Sequence, residues 1–220
     1  MEHTKYFGRL EDVGNYSLSN LKELFLRLPR YSKLAYPGIS HEKHLRNCAM
    51  ISTAYLTGGR ISEVINIRVK DISKEEDWIK IRLPNLKNKK VTFKDCSANI
   101  KVENIFIKYL VKYYVMKIIA GEDPENYLFT SSNIINKKIS RVQAYHIFTK
   151  VFRRNPHFLR KVRATHLLEY YMLDAKMLQQ YIGWANFVSS EPYIRLSQTS
   201  IKKRYMENAD HIKNILGGNL

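Results

Sequence analysis

Cysteine is nearly absent from this chain: Cys48 and Cys96 are the only two in 220 residues. They form no CxxC pair, which argues against a disulfide framework and against a zinc site. Both read as reduced packing residues. A long uninterrupted apolar run is also missing. The most apolar stretch, "NIFIKYLVKYYVMKIIAG" (104–121), is broken by Lys108, Lys112 and Lys117, so it reads as an amphipathic helix facing a core and not as a membrane span. The first residues, "MEHTKYFGRLED", carry scattered charges and no apolar signal core, so a secreted protein is not expected and a cytoplasmic one is. Nor do carboxylates cluster as a two-metal site would require. The acidic runs at Glu75–Asp77 and Glu122–Glu125 read as solvated loops. There is no internal repeat and no low-complexity tract.

What the chain has in excess is positive charge. Lys and Arg number 37 against 20 Asp and Glu, a formal charge of +17. Such a surplus fits a polyanionic partner, bound through phosphate neutralisation and counterion release. Nucleic acid leads, with an anionic membrane surface as the weaker choice. A hydrophobic content of 45% supports a real core, and the length suits one good-sized domain or one domain with a small appendage.

Along the chain, residues 1–39 hold one short helical pattern, "SLSNLKELFLRL", started by Ser17 or Ser19 and stopped before Pro29. This part is expected to be an N-terminal arm or linker. Ser40 caps a second helix that ends at Gly58 and Gly59, and the helical turn "ISEVINI" follows. "WIKIRLP" (78–84) and "VTF" (91–93) suit two antiparallel strands around the lysine-rich hairpin "NLKNKK", with a third strand or extended piece expected after Phe93. Helical patterns resume from Glu103 to Gly121. "YLF" (127–129) is a short extended piece, and "SRVQAYHIFTKVFRR" is a helix capped by Ser140. Pro156 opens the helix of "HFLRKVRATHLL"; "DAKMLQQYIG" and "SQTSIKKRYMENADHIKNIL" supply two more.

Three stretches carry the chemistry. "TGGRISEV" sets Arg60 just past a Gly-Gly break with Glu63 three residues on, so a carboxylate can orient the guanidinium fork. "HFLRKVRATHLL" places His157 and Arg160 three apart, on one helix face. "IGWANFVSSEPY" puts Trp184 after the helix-ending Gly183 and Tyr193 beyond it. In this order and phase the three resemble the sequence boxes of the tyrosine recombinase/integrase family, also called the phage integrase family.

The resemblance implies a mostly helical α+β catalytic domain with a small antiparallel sheet, over 40–220 and including the C-terminal helix. It implies DNA strand cleavage and rejoining through a 3′-phosphotyrosyl intermediate formed by Tyr193, serving site-specific recombination or integration, with no metal, no ATP and no other cofactor. Double-stranded DNA is the implied partner. Four protomers assemble on two duplexes in this family, so a homotetramer on DNA is implied, and the free protein can be monomeric. Residue chemistry agrees. Charge builds on non-bridging oxygens during attack on a phosphodiester, and the planar guanidinium groups of Arg60 and Arg160 fit it bidentately. A tyrosine hydroxyl, with a pKa of roughly 10, needs a positive site and a base, and His157 is the imidazole available. Lys87 best matches the family's leaving-group acid on the hairpin, with Lys89 and Lys90 as alternatives.

Departures matter as well. Trp184 stands where most members carry histidine; its indole N–H can donate to a phosphate oxygen but cannot accept a proton, which moves any base role toward His157. Gly59 replaces a common leucine and predicts looser packing. Residues 1–39 are too few for the family's helical core-binding domain. The nearest rival reading is a type IB topoisomerase, which shares the chemistry with little sequence choice, and the rival from another class is a catalytically silent DNA-binding accessory protein. The cellular setting expected is the cytoplasm, nucleoid-associated, or a host's cytoplasm if a virus or plasmid encodes the chain.

Overall fold

The computed structural model describes residues 16–86, 92–131 and 136–184. Lys87, Lys89, Lys90, Tyr193, Tyr205 and the expected C-terminal helix lie outside the described residues. The described elements run α1 (Leu18–Ala35), α2 (His41–Thr57), the short α3 (Ile61–Val64), a 3-10 turn (Val69–Asp71), β1 (Ile72–Glu75), β2 (Trp78–Asn85) and β3 (Thr92–Asn99). Then follow α4 (Asn104–Ile119), α5 (Arg141–Ile147) continued by a π-helical turn (Phe148–Phe152), α6 (Pro156–Glu169) and α7 (Ala175–Ile182). This is the expected mostly helical α+β fold.

Helix α2 forms its centre: every residue from Arg46 to Thr57 is buried. Its Ser40 hydroxyl accepts from the Lys43 N–H and caps the N-terminus, and it packs against α4 and α6. Of its buried hydroxyls, two bond within the helix, Thr53 donating to the Ala49 carbonyl at 2.8 Å and Thr57 to the Thr53 carbonyl at 2.7 Å, and that of Tyr55 pairs with His166 on α6.

The first helix departs from expectation twice. It runs through Pro29 to Ala35, and its Leu21, Phe25 and Leu28, all fully buried, belong to the same apolar cluster as α2, α4 and the sheet. The described part of the segment expected as an arm is thus built into the core through α1. Proline at position 29 deprives the Phe25 carbonyl of its helical donor; the Tyr109 hydroxyl, from α4, donates to that carbonyl at 3.4 Å instead. Tertiary packing here overrides the local stop signal.

The sheet is antiparallel in the order β1-β2-β3, with Ile72 opposite Ile81 and Leu83 opposite Lys94. The third strand therefore precedes the hairpin, and the extended piece expected after Phe93 is β3 itself. Alternation puts Ile79, Ile81, Leu83, Cys96 and Ala98 on the buried face and Lys80, Arg82, Asp95 and Ser97 outside. Both cysteines are free and buried, as read from the sequence; burial pushes the Cys48 thiol up to about 12, so it stays protonated. A smaller apolar cluster of Ala164, Leu167, Leu168, Leu178 and Ile182 seats α7 on α6. No helix among the described residues is long and apolar enough to cross a membrane.

Candidate active site

The turn between α2 and α3 is where the described sequence-predicted residues meet. Gly58 ends α2 in the left-handed region at φ 55°, a conformation glycine adopts without steric cost. A Cβ there would come within 2.5 Å of Ile182 Cδ1, so α7 is already pressed onto the turn. Gly59 is equally confined: a Cβ would meet Leu83 Cδ2 at 2.7 Å and Thr57 Oγ1 at 2.9 Å. Replacing leucine by glycine tightens the packing here, contrary to the expectation of looseness, because the sheet and the Thr57 side chain fill the space. The Thr57 hydroxyl accepts from the Gly59 N–H at 3.0 Å and closes the turn.

Arg60 follows in extended conformation and begins α3. Glu63 serves it twice: one carboxylate oxygen accepts from the Arg60 backbone N–H and the other from its Nη1, both at 2.8 Å. The Glu63 side chain is 3% exposed and that of Arg60 28% exposed. A buried carboxylate thus orients a partly open guanidinium, in a charge-assisted pair stronger than a neutral one. The supporting role read for Glu63 is what the geometry allows.

Arg160 reaches the same turn from α6. Asn155 caps that helix, its side chain accepting from the Phe158 N–H at 3.0 Å, with Pro156 in the first turn. The Arg160 side chain is buried, and its Nη1 donates to the Gly58 carbonyl at 2.6 Å. Two guanidinium groups are therefore fixed to one turn, one by Glu63 and one by the backbone two residues earlier. His157 lies on the same helix, three residues before Arg160. Partial desolvation, then the charges of Arg160, Lys161 and Arg60, lower its pKa below the ordinary histidine value. At neutral pH the ring is a neutral base beside fixed positive charges.

Trp184 completes the described part. It lies half-buried just past α7, with the Arg160 guanidinium 5.8 Å from its ring centroid, a cation–π distance. Its N–H and that of Gly183 both donate to the Gln179 carbonyl, at 3.1 and 2.9 Å. Arg60, Glu63, His157, Arg160 and Trp184 are thus brought to the junction of the Gly58 turn, the start of α6 and the end of α7. Tyr181 is a packing residue: its hydroxyl donates to the Leu56 carbonyl at 2.6 Å, and burial raises its pKa to about 12.

Sequence reasoning missed Lys94. Its Nζ donates to the Ile182 carbonyl at 2.8 Å, within the influence of Glu63, Arg160 and Arg60. Burial lowers its pKa to about 8, with the two arginines adding to the effect while Cys96 and Glu63 oppose it. Strand alternation carried past Phe93 would have found it, in the buried row with Cys96 and Ala98. Arg163, three residues beyond Arg160, points the other way, into the core. It is 1% exposed and paired to buried Glu103 at 2.7 Å.

A cavity lined by Glu42, Arg46, Tyr113, Lys117, Glu122 and Thr130 among others shares no residue with this junction. Its Lys117 is paired to Glu42 and Glu122. No group of three or more His, Cys, Asp or Glu side chains that could hold a metal occurs among the described residues.

Comparison with known proteins places the arrangement. The sequence model of the phage integrase family matches residues 33–200. A tyrosine recombinase of Pseudothermotoga lettingae is 29% identical over 157 residues, covering 70% of this chain and 51% of that protein. Tyrosine recombinase XerA of Pyrococcus furiosus is 27% identical over 180 residues, covering 79% and 58%. Among solved structures, XerH site-specific recombinase bound to its difH substrate in a pre-cleavage complex superposes with a TM-score of 0.64 at 16% identity, over 86% of this chain and 52% of that one. XerA recombinase gives 0.57 at 21% identity, over 84% and 61%. The chain spans about half the length of the curated relatives it matches.

Proposed function

Because the chain belongs to the phage integrase family, we propose that it is a tyrosine recombinase, cleaving and rejoining double-stranded DNA at specific sites in recombination or integration. The observation that carries this reading is the pair of arginines fixed to one turn, Arg60 by Glu63 and Arg160 by the Gly58 carbonyl. Two pre-organised guanidinium groups at one junction match a transferring phosphoryl group, whose non-bridging oxygens gain charge in the transition state.

In the proposed reaction the Tyr193 oxygen bonds to the scissile phosphorus as the bond from phosphorus to the 5′ oxygen breaks. The phenolic proton passes to the neutral His157 ring, and a hairpin lysine, Lys87 or else Lys89 or Lys90, protonates the departing 5′ oxygen. Trp184 donates its indole N–H to a phosphate oxygen. The phosphodiester energy is kept in the 3′-phosphotyrosyl bond, and attack by a 5′ hydroxyl reverses the step. Structural neighbours solved with their DNA support a DNA partner. A tetramer of this chain across two duplexes, in a cytoplasmic setting, completes the proposal.

Trapping on suicide duplexes of random sequence, nicked so that the cleaved fragment escapes, tests it. The wild-type chain is expected to form a covalent adduct in EDTA. Arg160→Ala is expected to lower adduct formation by about a hundredfold or more with a much smaller change in DNA affinity. Retention of DNA with no adduct favours the silent binder, and relaxation of supercoiled plasmid lacking any selected site favours a topoisomerase.

A further inference from the structure

Helix α7 ends where its last carbonyls have no helical donor. Gln179 takes the Gly183 and Trp184 N–H groups, and the Ile182 carbonyl takes the Lys94 ammonium from β3 at 2.8 Å. The same lysine also packs against the turn. Gly183 stands at φ 73°, and a Cβ built on it would lie 3.2 Å from Lys94 Cδ, so the lysine stem fits against a residue without a side chain. A cation at a helix C-terminus is further favoured by the helix dipole. The next residue is Trp184, whose ring lies 5.8 Å from the Arg160 guanidinium.

We propose that Lys94 is a positioning residue for the site: holding the Ile182 carbonyl and the Gly183 turn against β3, it sets Trp184 beside Arg160. The catalytic consequence rests on the recombinase reading, whereas the structural one does not. A strand lysine outside all three sequence boxes thereby ties the third box to the sheet, and its bond to a backbone carbonyl assigns it to alignment of the turn and leaves leaving-group protonation to the hairpin. The groups facing it are Cys96 on its own strand, Glu63 on α3, Arg60 just before α3 and Arg160 on α6. With a pKa of about 8, the tether is fully charged only below that pH, and loss of the charge weakens its hold on the helix end.

The test uses the full chain carrying Trp78→Phe, which leaves Trp184 as its single tryptophan. Lys94→Met is expected to raise amide exchange at the end of α7 and at Trp184 by about tenfold and to move Trp184 emission to the red. Wild-type emission should titrate near pH 8, and the titration should vanish in Lys94→Met. Lys94→Arg should restore both signals. On the random suicide duplexes, Lys94→Met should slow single-turnover adduct formation at saturating DNA while half-saturation stays put. Unchanged exchange and emission overturn the proposal. Rescue of Lys94→Met by a 5′-bridging phosphorothiolate duplex, whose sulfur leaves without a proton, overturns it in favour of a general acid. A wild type that forms no adduct defeats the recombinase reading, while the exchange and emission comparison still decides the clamp. Should Lys94→Met fail to fold, Lys94→Gln, a donor without charge, carries the same comparison.

Discussion

Arg163 and His166 show how single side chains hold the domain beneath the candidate site. The Arg163 guanidinium is enclosed by the rings of Tyr55, Tyr171 and Tyr181 at 5.0, 4.8 and 5.7 Å and paired to Glu103. Removing one partner of a buried pair leaves the other charge uncompensated. Glu103→Gln is therefore expected to lower unfolding free energy by about 3 kcal/mol or more, read from urea titration. His166 lies one turn further along α6. Its Nε2 faces the Tyr16 carbonyl at 2.7 Å, which can only accept, so Nε2 carries the proton and Nδ1 accepts from the Tyr55 hydroxyl at 2.9 Å. Burial holds this neutral ring's pKa down at about 4. Because the unfolded chain binds the proton first, stability is complete above about pH 6.5 and falls as pH drops toward 4. In His166→Gln, which keeps a donor and an acceptor, the urea midpoint should fall much less over that window. The inward turn of Arg163 was legible from spacing, since it lies four residues after buried Leu159. Its basic neighbours hid this, because Arg160, Lys161 and Arg163 look alike as a run of charge.

Among the elements, the Gly58 turn links the most parts of the site. It ends α2, supplies the carbonyl that anchors Arg160, precedes Arg60 by two residues and receives Ile182 from α7. Gly58→Ala puts a Cβ into a left-handed residue and within 2.5 Å of Ile182 Cδ1. It is expected to cost about 1–3 kcal/mol from the backbone alone and to slow adduct formation by more than it weakens DNA binding; unchanged cleavage would remove the turn from the account. The helices with clean caps, α2 from Ser40, α5 from Ser140 and α6 at Pro156, were legible because their signals are local. The start of α1 at Ser17 was legible in the same way, but its run past Pro29 was not, because the donor that accommodates Pro29 is Tyr109 on a distant helix. Tyr109→Phe should therefore destabilise the chain by about 1 kcal/mol. The place of β1 was missed for a similar reason: the four residues of Ile72–Glu75 bury only Ile72, and pairing with β2 defines the strand more than its own pattern does.

For the molecule as a whole, the surplus of +17 sets the expected binding energetics. Duplex affinity should fall steeply with salt, by a slope of about 0.9 in log affinity against log salt for each phosphate neutralised, and steeper than about 4 in total. A flat titration would contradict a phosphate-tracking surface. At this scale the resemblance of three short boxes reached further than charge or periodicity, since the charge named only a polyanion. The proposed role of the arginine junction is to serve a covalent step by Tyr193. Its most direct measurement is peptide mass spectrometry of the trapped DNA complex, alongside Tyr193→Phe. The expected result is a 3′-phosphotyrosyl bond on Tyr193, a released strand with a free 5′ hydroxyl, and no adduct but retained binding in Tyr193→Phe. An adduct on another tyrosine, or a 5′-phosphotyrosyl bond, would contradict it.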